Sequence, residues 1–170
     1  MTLAYIALGA NLGDAEATVA AAITALAALP ETRLVAVSSL YRTAPVGLKN
    51  QPDFINAVVA LEVTLAPQPL LEALFEIEAR FGRQRSIPNA ARTLDLDLLL
   101  HGDTTLNGAE LTLPHPRMHQ RAFVLAPLLE IAPDCKIPSH GAVRTLLDAC
   151  HDQRVTRIAK CTEQPTWRIA

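Results

Sequence analysis

Hydrophobic positions in the first hundred residues predict strands and helices joined by short turns. Apolar patterns typical of strands lie at 5–8, 33–41, 54–65 and 94–100. Helical spacing over 15–29 and 67–81 predicts two helices, the first capped by Asp14 and ended by Pro30. The order strand–helix–strand–strand–helix–strand is typical of a ferredoxin-like α+β fold, in which helices pack on an antiparallel sheet.

The second half of the chain is predicted to add smaller elements to this sheet. Leu106-Asn107-Gly108 favours a short hairpin, and apolar spacing predicts helices over about 118–131 and 142–150. We therefore expect one domain over 1–150, followed by a more polar tail over 151–170 to which the sequence assigns no role.

Composition narrows the class of protein. The chain has 170 residues, 50% of them hydrophobic, and a formal net charge of −2, which excludes a disordered chain and gives no overall attraction to nucleic acid or membranes. No apolar run reaches the length of a membrane span, and the first residues lack a signal-peptide pattern. The three cysteines show no metal-binding spacing, which favours reduced thiols and a cytoplasmic protein.

Asp95 and Asp97 are the most informative residues. They lie two apart in a predicted strand, so both side chains and that of Leu99 point to one face, while Leu94, Leu96, Leu98 and Leu100 point to the other. Paired carboxylates beside phosphate oxygens are a usual way of holding Mg²⁺. Alternatively, two aspartates at this spacing lie on a solvent-exposed face of the sheet and bind no metal.

Basic residues near this strand favour the phosphate–metal reading. Arg83, Arg85 and Arg92 lie between the second helix and the Asp-bearing strand, and guanidinium groups bind phosphate bidentately. Arg80 is explained by its place at a helix C-terminus. Glu78 is expected to be a surface partner of these arginines.

Further candidates suit binding of a flat heterocycle. Phe54 and Phe123 either pack in the core or stack on a ring, and Asn56, on the same strand face as Phe54, could contact the ring edge. His115 is held between two prolines, as suits a ligand contact, and Arg121 is placed to reach inward.

Five segments together resemble the 6-hydroxymethyl-7,8-dihydropterin pyrophosphokinases of folate biosynthesis. The segments are ALGANLGD at 7–14, SLYRTAPVG at 39–47, QPDFIN at 51–56, RTLDLD at 92–97 and LPHPRM at 113–118. They stand in the family's order and spacing from about residue 4 to 133, and the tail lies outside the match. The resemblance implies Mg-dependent transfer of diphosphate from ATP to the pterin hydroxymethyl oxygen, with release of AMP.

The resemblance also implies roles for individual residues. Two Mg²⁺ ions would be held by Asp95 and Asp97, and the transferring diphosphate would be neutralised by Arg83 and Arg92. The residues implied for ATP are Glu78, Arg85, Leu98, Thr112, His115 and Arg121. The residues implied for the pterin are Thr43, Val46, Phe54, Asn56 and Phe123. ATP and the pterin are the expected partners, and the chain is expected to act as a monomer.

The sequence departs from the family pattern in the loop before Arg92. Asn89-Ala90-Ala91 stands where many members carry Trp-Gly-Pro, so no aromatic from this loop can cover the substrates.

Two other functions remain open from the residues alone. One is a metal-dependent phosphoesterase that uses the same aspartates to activate water. The other is a non-catalytic ferredoxin-like module that senses a small ligand.

Overall fold

The structure, a computed structural model, describes residues 1–45, 50–82 and 94–160. The strands are β1 (Thr2–Ala10), β2 (Thr32–Val37), β3 (Ser39–Thr43), β4 (Phe54–Val63), β5 (Asp95–His101), β6 (Leu106–Asn107), β7 (Thr112–Leu113), β8 (Lys136–Ile137), β9 (Gly141–Ala142) and β10 (Thr156–Lys160). The helices are α1 (Ala15–Ala27), α2 (Pro67–Arg80), α3 (Ala122–Ile131) and α4 (Val143–Asp148), with a 3₁₀ turn at Met118–Gln120. None of these helices is long and apolar enough to cross a bilayer.

The main sheet has the predicted ferredoxin-like arrangement. Its strands run in the order β10-β3-β4-β1-β5, β2 also pairs with β4, and every pairing is antiparallel. The Asp14 side chain caps α1 by accepting a 3.1 Å hydrogen bond from the Ala17 amide, as predicted. The α+β class is therefore confirmed.

One predicted strand is divided in two. The strand expected over 33–41 bends at Ser38, so that β2 and β3 pair with different parts of β4. The Ser38 hydroxyl lies at the bend, where it accepts from the Val58 amide at 2.9 Å and donates to the Ser39 carbonyl at 2.8 Å. A side chain that bonds the backbone in this way replaces part of the regular ladder.

The main sheet has two unlike faces. Its closed face carries Ile6, Leu8 and Val59 and is packed by α1 and α2 into one apolar cluster. Its open face carries Asn56 and Asp97 and is covered only in part, because α3 packs mainly on β3 and β4. The uncovered part of the open face is the place where a ligand can reach the sheet.

A bulge in β5 changes the predicted alternation. Tyr5 of β1 pairs with Leu100 whereas Ile6 pairs with Leu98, so the register shifts by one residue at Leu99. Leu99 and Leu100 therefore both belong to the cluster on the open face. The prediction that Leu100 shares the face of Leu98 is wrong, because strict alternation does not continue through a bulge.

Part of the tail is built into the sheet. β10 pairs with β3, and the Arg157 guanidinium lies 3.3 Å from the Glu130 carboxylate at the end of α3. Glu130 also accepts hydrogen bonds from the Ser39 amide and hydroxyl and from the Tyr41 hydroxyl, at 2.7–2.8 Å. The sequence did not predict this strand, which occupies an edge of the main sheet.

Candidate active site

The open face contains a cavity of about 540 Å³, here called the large cavity. Its floor is formed by β1, β4 and β5, and its walls by the end of β3, the start of α3 and residues 153–155. The sequence-predicted residues that line it are Thr43, Phe54, Asn56, Asp95, Asp97, Arg121 and Phe123. The fold thus brings together side chains that are up to 80 residues apart in the sequence.

Asn56 is held in place on the floor of this cavity. Its side chain is 5% exposed, and its amide nitrogen donates a 2.9 Å hydrogen bond to the Thr43 hydroxyl. Gly9 lies opposite Asn56 in the ladder, and a Cβ atom at Gly9 would come within 3.1 Å of the Asn56 amide oxygen. The glycine therefore leaves the room that this amide orientation needs.

Two aromatic rings from different elements line the same cavity. Phe54 begins β4, and Phe123 lies in the first turn of α3. The Arg121 guanidinium carbon lies 5.5 Å from the centre of the Phe123 ring, within the range of a cation–π contact. This contact puts a permanent positive charge beside an apolar surface suited to a flat ring.

Asp95 and Asp97 lie on the open face of β5, opposite Gly9 and Ala7 of β1. Both are half-buried and both line the large cavity, so the predicted common orientation is confirmed. No third carboxylate, histidine or cysteine joins them as a metal cluster within the described residues. Two carboxylates with room for other oxygen ligands suit Mg²⁺, which commonly takes its remaining ligands from substrate phosphates and water.

A second cavity, of about 250 Å³ and here called the small cavity, lies beside β5. It is lined by Leu71 and Phe75 of α2 and by Thr112, His115 and other residues of 109–116. Leu98 and Asp97 also line it, and Asp97 is shared with the large cavity. The predicted ATP set is therefore divided, with Leu98, Thr112 and His115 here and Arg121 in the large cavity.

His115 is fixed by its backbone and its ring. Its amide donates to the Leu99 carbonyl at 3.0 Å, and its Nδ1 accepts from the Arg117 amide at 3.2 Å. Burial and then the positive charge of Arg121 lower the pKa of His115 to about 4, although the negative charge of Asp95 opposes this. The imidazole is therefore neutral at physiological pH, and because Nδ1 accepts, Nε2 carries the proton.

Glu78 does not lie at the surface, so the prediction of a surface partner for the arginines is wrong. It is 1% exposed, and its carboxylate accepts a 2.8 Å hydrogen bond from the Leu96 amide. The apolar stripe of α2 explains this position, because Glu78 follows Leu71 by seven residues and Leu74 by four. Glu78 thus supports the strand that carries the aspartates and lines neither cavity.

Four predicted residues lie outside the described parts of the chain. They are Val46, Arg83, Arg85 and Arg92. Their assignments remain predictions, and so do the roles of the residues that line the two cavities.

Other residues of the large cavity were not predicted. Ala7 and Gly9 give the floor its depth because their side chains are small or absent, and Gln153, Arg154 and Val155 form a wall. Gly9 could have been recognised from the face that it shares with Ala7 in β1. The wall could not, because nothing local in the tail indicates which strand it joins.

Comparison with known proteins shows the family of the chain. The chain is 47% identical over 154 residues to a 2-amino-4-hydroxy-6-hydroxymethyldihydropteridine pyrophosphokinase of Pseudomonas aeruginosa, covering 91% of this chain and 95% of the relative. The protein of the same name from Haemophilus influenzae is 41% identical over 158 residues, covering 93% and 99%. Among solved structures, wild-type Plasmodium falciparum HPPK-DHPS with pteroate matches with a TM-score of 0.69 at 14% identity.

That structural match covers 87% of this chain but 42% of the Plasmodium chain, so it shows only the fold of the shared part. Residues 5–133 match the family model for the 7,8-dihydro-6-hydroxymethylpterin-pyrophosphokinases. This match and the two bacterial relatives show that the chain is a diphosphotransferase and belongs to the 7,8-dihydro-6-hydroxymethylpterin-pyrophosphokinase family. It is an ATP-dependent pyrophosphokinase of folate biosynthesis.

Proposed function

We propose that this enzyme transfers diphosphate from ATP to the hydroxymethyl oxygen of 6-hydroxymethyl-7,8-dihydropterin in a Mg²⁺-dependent reaction that releases AMP. The hydroxyl oxygen forms a bond to the β-phosphorus of ATP, and the bond between that phosphorus and the oxygen bridging to the α-phosphate breaks. The hydroxyl proton is released, and the bridging oxygen leaves with AMP.

The position of Asp97 carries this proposal. Asp97 lines both the large and the small cavity, and Asp95 lines the large one. A molecule with an aromatic ring in the large cavity and a nucleotide in the small one would therefore meet at this carboxylate. Transfer between two bound substrates requires such a meeting point, because alignment supplies much of the rate.

The proposed metal ligands are Asp95 and Asp97, with two Mg²⁺ ions expected beside ATP. The ions would neutralise charge on the phosphates when bound. The small cavity has polar lining at Thr112 and His115, and its apolar lining by Leu71 and Leu98 suits a nucleoside. His115 is neutral and would donate from Nε2 to a phosphate or ribose oxygen.

The proposed pterin site is the floor and walls of the large cavity. Phe54 and Phe123 supply apolar ring surfaces, and Asn56 and Thr43 supply donors and acceptors for the polar edge of a heterocycle. Arg121, which is proposed to bind ATP, also lines this cavity, beside the Phe123 ring. Arg83, Arg85 and Arg92 are proposed to bind phosphates, and the backbone at Val46 to contact the pterin.

We also propose that the enzyme works in the cytoplasm as a monomer and without nucleic acid or membrane partners. The net charge of −2 gives no overall attraction to nucleic acid or to anionic membranes. Cys135 and Cys150 are free thiols, which suits a reducing compartment such as the cytoplasm.

Product analysis tests the proposed function. The protein is incubated with Mg-ATP and 6-hydroxymethyl-7,8-dihydropterin, and the phosphorus-containing products are identified by ³¹P NMR and chromatography. Equal amounts of AMP and diphosphorylated pterin are expected. ADP with a monophosphorylated pterin would contradict the proposal, and hydrolysis of ATP without a modified pterin would indicate a metal-dependent phosphoesterase instead.

A further inference from the structure

The tail reaches the large cavity through Gln153. The side-chain oxygen of Gln153 accepts a 2.9 Å hydrogen bond from the Ala122 amide, and its nitrogen donates at 2.8 Å to the Gln120 carbonyl. The two bonds lie on either side of Arg121 in the chain. They also determine the orientation of the Gln153 amide, because a backbone N–H can only donate and a carbonyl can only accept.

The start of α3 needs a partner from outside the helix. Ala122 is the first helical residue, so its amide has no acceptor within the helix. Arg121, at the N-cap position, makes no side-chain cap and carries no acceptor group in its guanidinium. Gln153 therefore satisfies, from about 30 residues away, one of the first amides of α3 that the helix itself cannot satisfy.

The capped turn carries residues of the large cavity. Gln120, Arg121 and Phe123 all line that cavity, as does Gln153 itself. Movement of the 120–122 backbone would displace both the Arg121 guanidinium and the Phe123 ring that it contacts at 5.5 Å. The segment that holds Gln153 is itself anchored, because β10 follows within three residues and pairs with β3.

We infer that Gln153 is a positioning residue for the pterin half of the site: its side chain clamps residues 120–122 and so holds the Phe123 ring against the bound pterin, with Arg121 beside that ring. This inference rests on the proposed function, since it concerns the same cavity and ligand. It gives the tail a role in substrate binding, whereas the sequence assigned it none.

The test compares loss of this clamp with loss of an anchor at the other end of α3. Gln153→Ala removes both clamping bonds. Ser39→Ala is the matched control, because it removes one bond to Glu130 at the end of the same helix and touches neither cavity. Gln153→Glu keeps an acceptor for the Ala122 amide but loses the donor to Gln120.

Two measurements are made on the full-length protein. Native-state hydrogen exchange of the Ala122 and Phe123 amides reports on the clamp without any ligand. Calorimetric titration with 6-hydroxymethylpterin, at saturating Mg²⁺ and a non-hydrolysable ATP analogue, reports on the binding site. Gln153→Ala is expected to speed exchange at Ala122 and to raise the pterin Kd by about tenfold, as loss of one or two hydrogen bonds would do.

The control and the conservative variant sharpen the outcome. Ser39→Ala should lower the melting temperature but leave the pterin Kd within about twofold of the wild type, and Gln153→Glu should retain protection at Ala122. Unchanged exchange and unchanged pterin Kd in Gln153→Ala would overturn the inference, as would an equal loss of affinity in Ser39→Ala. Wild-type protein that binds no pterin would instead contradict the proposed function, whatever the exchange data show.

Discussion

The two faces of the main sheet use the same strands for opposite purposes. On the closed face, Ile6 and Val59 are fully buried against α1 and α2. On the open face, Ala7, which follows Ile6 in β1, borders the large cavity, as does Asn56 of β4, and α3 covers only the side nearer β3. Side chains alternate along each strand, so one residue stabilises the fold and the next is available to a ligand.

We therefore expect that some substitutions in this sheet lower the stability without changing ligand binding, and that others change ligand binding without lowering the stability. A change on the closed face removes apolar contacts and leaves a void. A change in the uncovered part of the open face alters charge or shape in the cavity and leaves the buried clusters intact. The following predictions test that separation.

The largest effect is expected at Asp97, which belongs to both cavities. Asp97→Asn removes a negative charge from the proposed metal site and should lower kcat by at least about 10³-fold, equivalent to about 4 kcal/mol. The melting temperature should stay within a few degrees of the wild type. Steady-state kinetics measure the first effect and thermal unfolding the second, with Asp103→Asn in the exposed turn after β5 as control.

The complementary effect is expected at Ile6 on the closed face. Ile6→Ala leaves a cavity in a fully buried cluster and should reduce the free energy of unfolding by about 2–5 kcal/mol. Urea unfolding measures this loss, and the half-exposed Leu3 on the same strand provides the milder control Leu3→Ala. At a temperature where Ile6→Ala is still folded, its KM for the pterin should be unchanged, and a large rise would contradict the separation of the faces.

A smaller effect is expected at Gly9, where the open face is shaped by a missing side chain. Gly9→Ala places a methyl group 3.1 Å from the Asn56 amide oxygen and should raise the pterin KM by about tenfold, the cost of about one displaced hydrogen bond. Unfolding free energy should change little. In an Asn56→Ala background the same substitution should have almost no further effect, because the two residues act through one contact.

The smallest effect concerns pH and His115. Its pKa in the folded protein is about 4, below the ordinary value of 6.5, so between these values the unfolded chain binds a proton that the folded chain does not. Stability should therefore fall as the pH falls from about 6.5 to about 4. His115→Gln should reduce this fall in melting temperature by a few degrees, which thermal unfolding at a series of pH values measures.

The sequence predicted the features that depend on short-range periodicity. The common face of Asp95 and Asp97 follows from two-residue spacing, and the order of the main elements, apart from the division of β2 from β3, follows from strand and helix periodicity. The cap at Asp14 follows from the residue type before the helical run. The candidate residues that the structure describes, other than Glu78, all line one of the two cavities. The division of those residues between the cavities was not predictable, because it depends on how β5 and the 109–116 segment pack.

The errors have long-range or irregular causes. The bulge at Leu99 reverses the face of Leu100, and no residue type in a run of leucines indicates where a register shift occurs. Glu78 lies on the apolar stripe of α2, but the bond that its buried carboxylate accepts comes from the Leu96 amide, 18 residues away in the sequence. Gln153 could not be recognised as a cap, because the backbone groups that it binds come from another element.

Gly9 has a consequence for how variation in this enzyme would be detected. A larger residue at this position would leave the sheet assembled, since β1 remains paired on both sides through its backbone. A screen that measures only the cellular amount or the thermal stability of the protein would therefore classify such alleles as neutral. Their defect would be detected in a growth assay in which the cell must make its own folate.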